Sequence, residues 1–305
     1  MRPNAGMNRR QFLSSTALAA AATALTPATS AWTAESKGVQ WPIGCLNRPW
    51  LGPKKDWGYD VALDGIKSAG YKLTGMLTRT DTEPFIGSDA TPEYLAALKQ
   101  KIVARGLKVN MGALRIKFHL PINEQIKDTR KQIDNRKTMG VEYLLTFGAN
   151  NPKQYEDYYK LMQDAAPYAQ ERGMKVVLKP HGGASGAAEE IMRCLAKVNH
   201  PNYKVWFDAG NILFYTGKDP LEQLKPIARQ VTGFCVKDCD KQRGNVFLEL
   251  GTGKIDFPAI FAALKQEGFN GPLMVECCAQ GVTPDIVTAS ARRGREYLEK
   301  ILASL

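Results

Sequence analysis

From Val39 onward, short apolar runs alternate with longer amphipathic stretches. The runs are Gln40–Leu46, Tyr71–Leu77, Leu107–Leu114, Glu142–Phe147, Lys175–Lys179, Lys204–Asp208, Gly233–Lys237 and Pro272–Glu276. Continuous apolar character over four to eight residues predicts strands buried on both faces, as in parallel sheets. Between them, Thr91–Ala104, Asn123–Met139, Lys153–Arg172, Ala187–Val198, Pro220–Gln230, Phe257–Gln266 and Pro284–Leu302 carry helical periodicity. In one of these, Ile260, Phe261 and Leu264 follow Phe257 at helical spacing. Gly106, Gly140, Gly173 and Gly268 stand where helices stop. Eight strands alternating with helices predict a single (β/α)8 TIM barrel over 39–305. A doubly wound sheet would show a glycine-rich turn after its first strand, and Gly44-Cys-Leu-Asn-Arg-Pro-Trp50 is not one.

The segment before the barrel has another composition. It is acid-free up to Glu35, and Asn8-Arg-Arg-Gln-Phe-Leu13 precedes an alanine-rich apolar run to Leu25 and then Thr29-Ser30-Ala31. Basic, apolar and small-residue regions in that order predict a signal peptide over 1–31, with 32–38 a short linker. Arg9-Arg10 followed by Phe12-Leu13 resembles the twin-arginine signal, which implies the twin-arginine translocation machinery as a partner and export to the periplasm. The formal charge of +11 falls to about +8 without that segment's three arginines. No basic run interleaves with aromatics as a nucleic-acid groove would require, and no later apolar run reaches membrane-spanning length. The six cysteines are expected to be buried free thiols. A disulfide or soft-metal cluster among Cys235, Cys239, Cys277 and Cys278 is the alternative.

The candidate chemistry gathers where the late strands end. Val176-Val-Leu-Lys-Pro-His181 places Lys179 and His181 on one face, because strand side chains alternate with period two. Val205-Trp-Phe-Asp208 delivers Asp208, with Asn211 just beyond. Phe234-Cys-Val-Lys-Asp238 presents Lys237 and then Asp238, and Leu273-Met-Val-Glu276 presents Glu276. Buried charges must pair with one another or bind something, and the carboxyl-terminal rim is where such barrels build their sites. Structural ion pairing between strands is the competing explanation. Asn47, Arg48 and Trp50 follow the first strand and His119 follows the third, so all four are candidates to contact substrate. Trp50 could stack on a ring of the substrate or simply pack. His200 precedes a strand, which puts it at the opposite, structural face. Gly251-Thr-Gly-Lys254 is too short for a phosphate loop.

Lys204-Val-Trp-Phe-Asp-Ala-Gly-Asn-Ile212, Val236-Lys-Asp238, Gly251-Thr-Gly-Lys-Ile-Asp-Phe257 and Gly268-Phe-Asn-Gly-Pro-Leu-Met-Val-Glu276 resemble the xylose isomerase-like barrel family of sugar phosphate isomerases and epimerases. The resemblance runs from about Val39 to the end of the chain. It implies one divalent metal held by Glu, Asp, His and Glu on strands five to eight, at Lys179, Asp208, Cys235 and Glu276. Only Asp208 and Glu276 match. An ammonium and a divalent cation at ligand distance repel strongly. Either Lys179 takes the metal's place, or a metal shifts toward His181, Asp208 and Glu276.

The expectation is an exported enzyme that removes a proton beside a carbonyl of a sugar or oxidised sugar, with Lys179 as electrophile and His181, Asp208 or Glu276 moving the proton. Lyase or hydratase action on 3-keto-glycosides is the alternative. A barrel that has lost its metal and only binds sugar or a partner protein is the non-enzymatic one, and homo-oligomers are compatible with each. A two-carboxylate glycosidase fits poorly, since a nearby lysine opposes the protonated acid it needs.

Overall fold

The computed structural model describes residues 38–54, 56–76 and 86–305. The segment expected to be a twin-arginine signal lies outside them. Eight parallel strands close into a barrel in sequence order: β1 Ile43–Leu46, β2 Leu73–Met76, β3 Lys108–Ala113, β4 Tyr143–Thr146, β5 Lys175–Leu178, β6 Tyr203–Phe207, β7 Val231–Val236 and β8 Leu273–Val275. Closure comes from β8 pairing with β1, where Cys45 stands opposite Val275. The helices are α1 Tyr59–Ser68, α2 Pro92–Val103, α3 Ile122–Met139, α4 Tyr155–Gln170, α5 Ala188–Val198, α6 Ala209–Thr216, α7 Pro220–Leu224, α8 Phe257–Gln266 and α9 Pro284–Ser304. Thr91 caps α2 by accepting from the Tyr94 N–H, and Asp256 caps α8 by accepting from that of Ala259. In each case proline occupies the first turn, where a missing N–H costs nothing. Among the described residues, no helix is long and apolar enough to cross a membrane.

Strand alternation divides the core in two. Leu46, Met111, Ala113, Leu145, Val177, Trp206, Cys235 and Met274 fill the barrel interior. The residues between them in each strand, such as Val176, Leu178, Val205, Phe207 and Phe234, pack outward against the helices. Trp206 is the bulkiest plug, and the neighbouring strand yields to it. A Cβ on Gly233 would lie 2.1 Å from the Trp206 ring. All six cysteines are free and buried, which settles the choice between thiols and disulfides.

Candidate active site

Two residues beyond each interior plug, the same strand face points into the carboxyl-terminal mouth. The step takes Val177 to Lys179, Trp206 to Asp208, Cys235 to Lys237 and Met274 to Glu276, while Leu46 leads to Arg48 and Leu145 to Phe147. Lys179 continues its strand, its N–H donating to Thr146 O at 2.8 Å. Asp208 caps α6 with Oδ1, which accepts from the Asn211 N–H at 2.8 Å. The Asn211 amide in turn donates to Pro180 O at 2.6 Å and ties the ends of β5 and β6 together.

These positions make one buried ion cluster. Lys179 Nζ lies 2.9 Å from Asp208 Oδ2 and also binds Glu276 Oε2. Lys237 Nζ lies 3.2 Å from the same Asp208 oxygen and 3.1 Å from the same Glu276 oxygen. Arg48 donates to Glu276 Oε1 at 2.8 Å and stacks over the Phe247 ring. The Lys179, Asp208, Lys237 and Glu276 side chains are at most 3% exposed, whereas that of Arg48 is 30% exposed. Both ammoniums lie within ion-pairing distance of Asp208 Oδ2, but neither is angled to give it a directional hydrogen bond. That oxygen is the acceptor left for an incoming group.

Burial and charge pull in opposite directions here. Burial disfavours the Lys179 ammonium, but Asp208 and Glu276 outweigh it and hold the amine well above its usual pKa. Burial would likewise raise Glu276, yet Lys179, Lys237 and Arg48 keep it well below the ordinary carboxylate range. Burial and the two ammoniums drive His181 down to about 3, so its ring is neutral at pH 7. Its Nε2 lies 3.0 Å from the Tyr215 hydroxyl, and its ring packs edge-on against Phe147.

Other expected contacts fall elsewhere. Trp50 is not at the mouth: it is fully buried, donates from Nε1 to Thr288 Oγ1 of α9 at 3.1 Å, and sits tight against Gly65 of α1. A ring clamped between two outer helices has no face for a sugar. Asp238 is also spent, since the N–H groups of Cys239, Gly251, Gly253 and Ile255 all donate to its carboxylate. It organises the loop after β7 instead of binding substrate. Asn47 is buried at the end of β1, and its N–H donates to Gly75 O. His119 is exposed in the β3–α3 loop, outside the ion cluster. His200 accepts from the Asn202 N–H ahead of β6, at the structural face. Tyr215 was not foreseen. It lies seven residues past Asp208 on α6, a helix whose apolar run gave no amphipathic pattern.

Asp208, Cys235 and Glu276 form a group that could hold a metal ion, with ligand atoms within 4.8 Å of one another. The chemistry of this donor set fits a divalent ion poorly. The two carboxylate oxygens it would take face two ammoniums, and burial holds the Cys235 thiol well above its usual pKa, so it is no thiolate. His181, the donor for a shifted metal, has its Nε2 engaged by Tyr215.

A family model described as xylose isomerase-like TIM barrel matches residues 63–301. An inosose dehydratase from Geobacillus kaustophilus is 24% identical over 304 residues, covering 87% of this chain and 94% of that protein. Another, from Clostridium perfringens, is 28% identical over 143 residues, 41% of this chain; the match spans about half that relative's length, 48%. An L-ribulose-5-phosphate 3-epimerase from Salmonella paratyphi C is 22% identical, covering 78% of this chain and 88% of that protein. A solved xylose isomerase-like barrel from Mycobacterium smegmatis, in complex with magnesium, superposes with a TM-score of 0.67 at 15% identity, over 87% of this chain and 97% of that one. With its eight-stranded closure and a match over most of its length, the chain belongs to the xylose isomerase-like TIM barrel family.

Proposed function

We propose that the protein is an exported carbohydrate-active enzyme that moves a proton at the carbon beside a carbonyl, with the Lys179 ammonium in place of a metal ion. The observation that carries this is the position of Lys179 Nζ, between Asp208 and Glu276 at the mouth of the barrel. There it donates to the carbonyl oxygen, and Lys237 adds charge where an enediolate forms. Asp208 is the base, because Oδ2 is the carboxylate oxygen without a directional donor. The C–H bond breaks and its proton passes to Asp208; its electron pair forms the C=C bond of the enediolate while the carbonyl π pair moves onto oxygen. Returning the proton to the neighbouring carbon, as the hydroxyl proton passes to the original carbonyl oxygen, gives an isomer, whereas an epimer needs a proton delivered to the opposite face by a second donor. Glu276, held by three cations, is a fixed counter-charge, and a neutral His181 orients substrate. The same depressed Glu276 argues against a glycosidase, which needs a protonated acid.

The similarity to inosose dehydratases favours a second outcome for the same enediolate, in which a hydroxyl on the next carbon leaves as water. Incubation with a panel of ketoses and 3-keto-glycosides in D2O separates the two. Isomerase action gives deuterium at the exchanged carbon with the elements of water retained, and dehydration gives a product lighter by one water. Absence of both exchange and elimination across the panel would leave the binding-only barrel. Export rests on the amino-terminal pattern, and a reporter fused behind residues 1–31 that stays in the cytoplasm would refute it.

A further inference from the structure

Among the described residues, the ion cluster does not balance. Arg48, Lys179 and Lys237 bring three positive charges, and Asp208 and Glu276 bring two negative ones. Lys237 is the surplus member, since both oxygens it approaches are held more closely by Lys179. Asp238 does not make up the deficit. Its charge is taken by four backbone N–H groups, and it faces Cys239 and Tyr297 rather than the cluster. The mouth adds positive charge. The Arg243 guanidinium stands 5.2 Å from the Tyr215 ring. Arg243 holds a left-handed backbone (φ 57°), a conformation that non-glycine residues keep only under constraint. The low pKa of His181 comes first from burial, with Lys179, Lys237 and Arg48 also opposing protonation and Glu276 favouring it.

An uncompensated charge in a buried cluster is costly unless a counter-charge arrives. We infer that the substrate supplies it, through a carboxylate or phosphate group that docks beside Lys237 and Arg48. The substrate class is then an acidic sugar, such as an oxidised sugar, in preference to a neutral one. Arg48 is the cluster member with substantial solvent exposure, so the anion meets its guanidinium first. This inference rests on the cluster being the substrate site, but it concerns binding and needs no turnover.

The test is isothermal titration of the full chain, at constant ionic strength, with glycolate, D-glucuronate, inorganic phosphate, and glycerol and D-glucose as neutral counterparts. At least one anion is expected to bind about tenfold or more tighter than its neutral counterpart, the scale of a charge-assisted hydrogen bond. That advantage should disappear in Lys237→Met and shrink in Arg48→Gln. Binding by glycolate or glucuronate identifies a carboxylate, and binding by phosphate alone identifies a phosphate ester. If Lys237→Met does not fold, the wild-type and Arg48→Gln titrations decide. No anion binding tighter than about 10 mM, or anion binding untouched by either variant, overturns the inference. A neutral sugar that exchanges deuterium without any anion preference would overturn it too, while leaving the proposed reaction standing.

Discussion

At the scale of single residues, His181 and Tyr215 decide what the site can do with protons. Phenol is the better donor and imidazole nitrogen the better acceptor, so we assign Tyr215 as donor to Nε2 and the ring proton to Nδ1. That assignment leaves Nε2 engaged by Tyr215, and the proposed reaction accordingly gives the role of base to Asp208. The sign of the linkage follows. The folded-state pKa of His181 is lowered to about 3, so the unfolded chain binds the extra proton between pH 6.5 and 3. Stability is lost as pH falls through that window, by at most about 1.4 kcal/mol per pH unit from this group. Denaturant midpoints between pH 7 and 4 should fall less steeply in His181→Asn than in the wild type, and parallel curves would contradict the assignment. Tyr215→Phe should leave folding intact and shift the imidazole 15N resonances toward the Nε2–H tautomer. Asp208→Asn should cut deuterium exchange by about two orders of magnitude or more, the range of general-base contributions.

At the scale of elements, the sequence was most legible where one physical rule acts alone. Each of the eight strands could be found because burial on both faces leaves an apolar run, and alternation then aimed Lys179, Asp208, Lys237 and Glu276 at one mouth. The same alternation turns Asp238 away from Lys237. Other features depended on distant partners. Trp50 is buried by α1 and α9, more than 200 residues apart, so no local pattern announces its fate. Helix α6 is eight residues long and lacks a polar stripe, which hid Tyr215. The loop after β7 gives a direct test of the revised role for Asp238. Asp238→Asn keeps the shape but loses the charge that four N–H groups share. It should cost about 1–3 kcal/mol and speed amide exchange at Gly251, Gly253 and Ile255. Unchanged exchange there would return Asp238 to the list of substrate contacts. Inside the barrel, Gly233→Val should be severely destabilising, because a side chain there meets the Trp206 ring.

At the scale of the whole molecule, a family barrel keeps its architecture while two of the four positions its resemblance assigns to metal carry Lys179 and Cys235. The fold holds the strand ends at fixed distances whichever side chains they bear, so an ammonium can stand where an ion would bridge two carboxylates. The whole account depends on Lys179 filling that central position. Anomalous diffraction from crystals soaked in Mn2+ tests this most directly. The account predicts no manganese peak between Asp208 and Glu276, with Lys179 Nζ in contact with both carboxylates. A strong peak ligated by those two residues, with Lys179 swung out of the mouth, would contradict it.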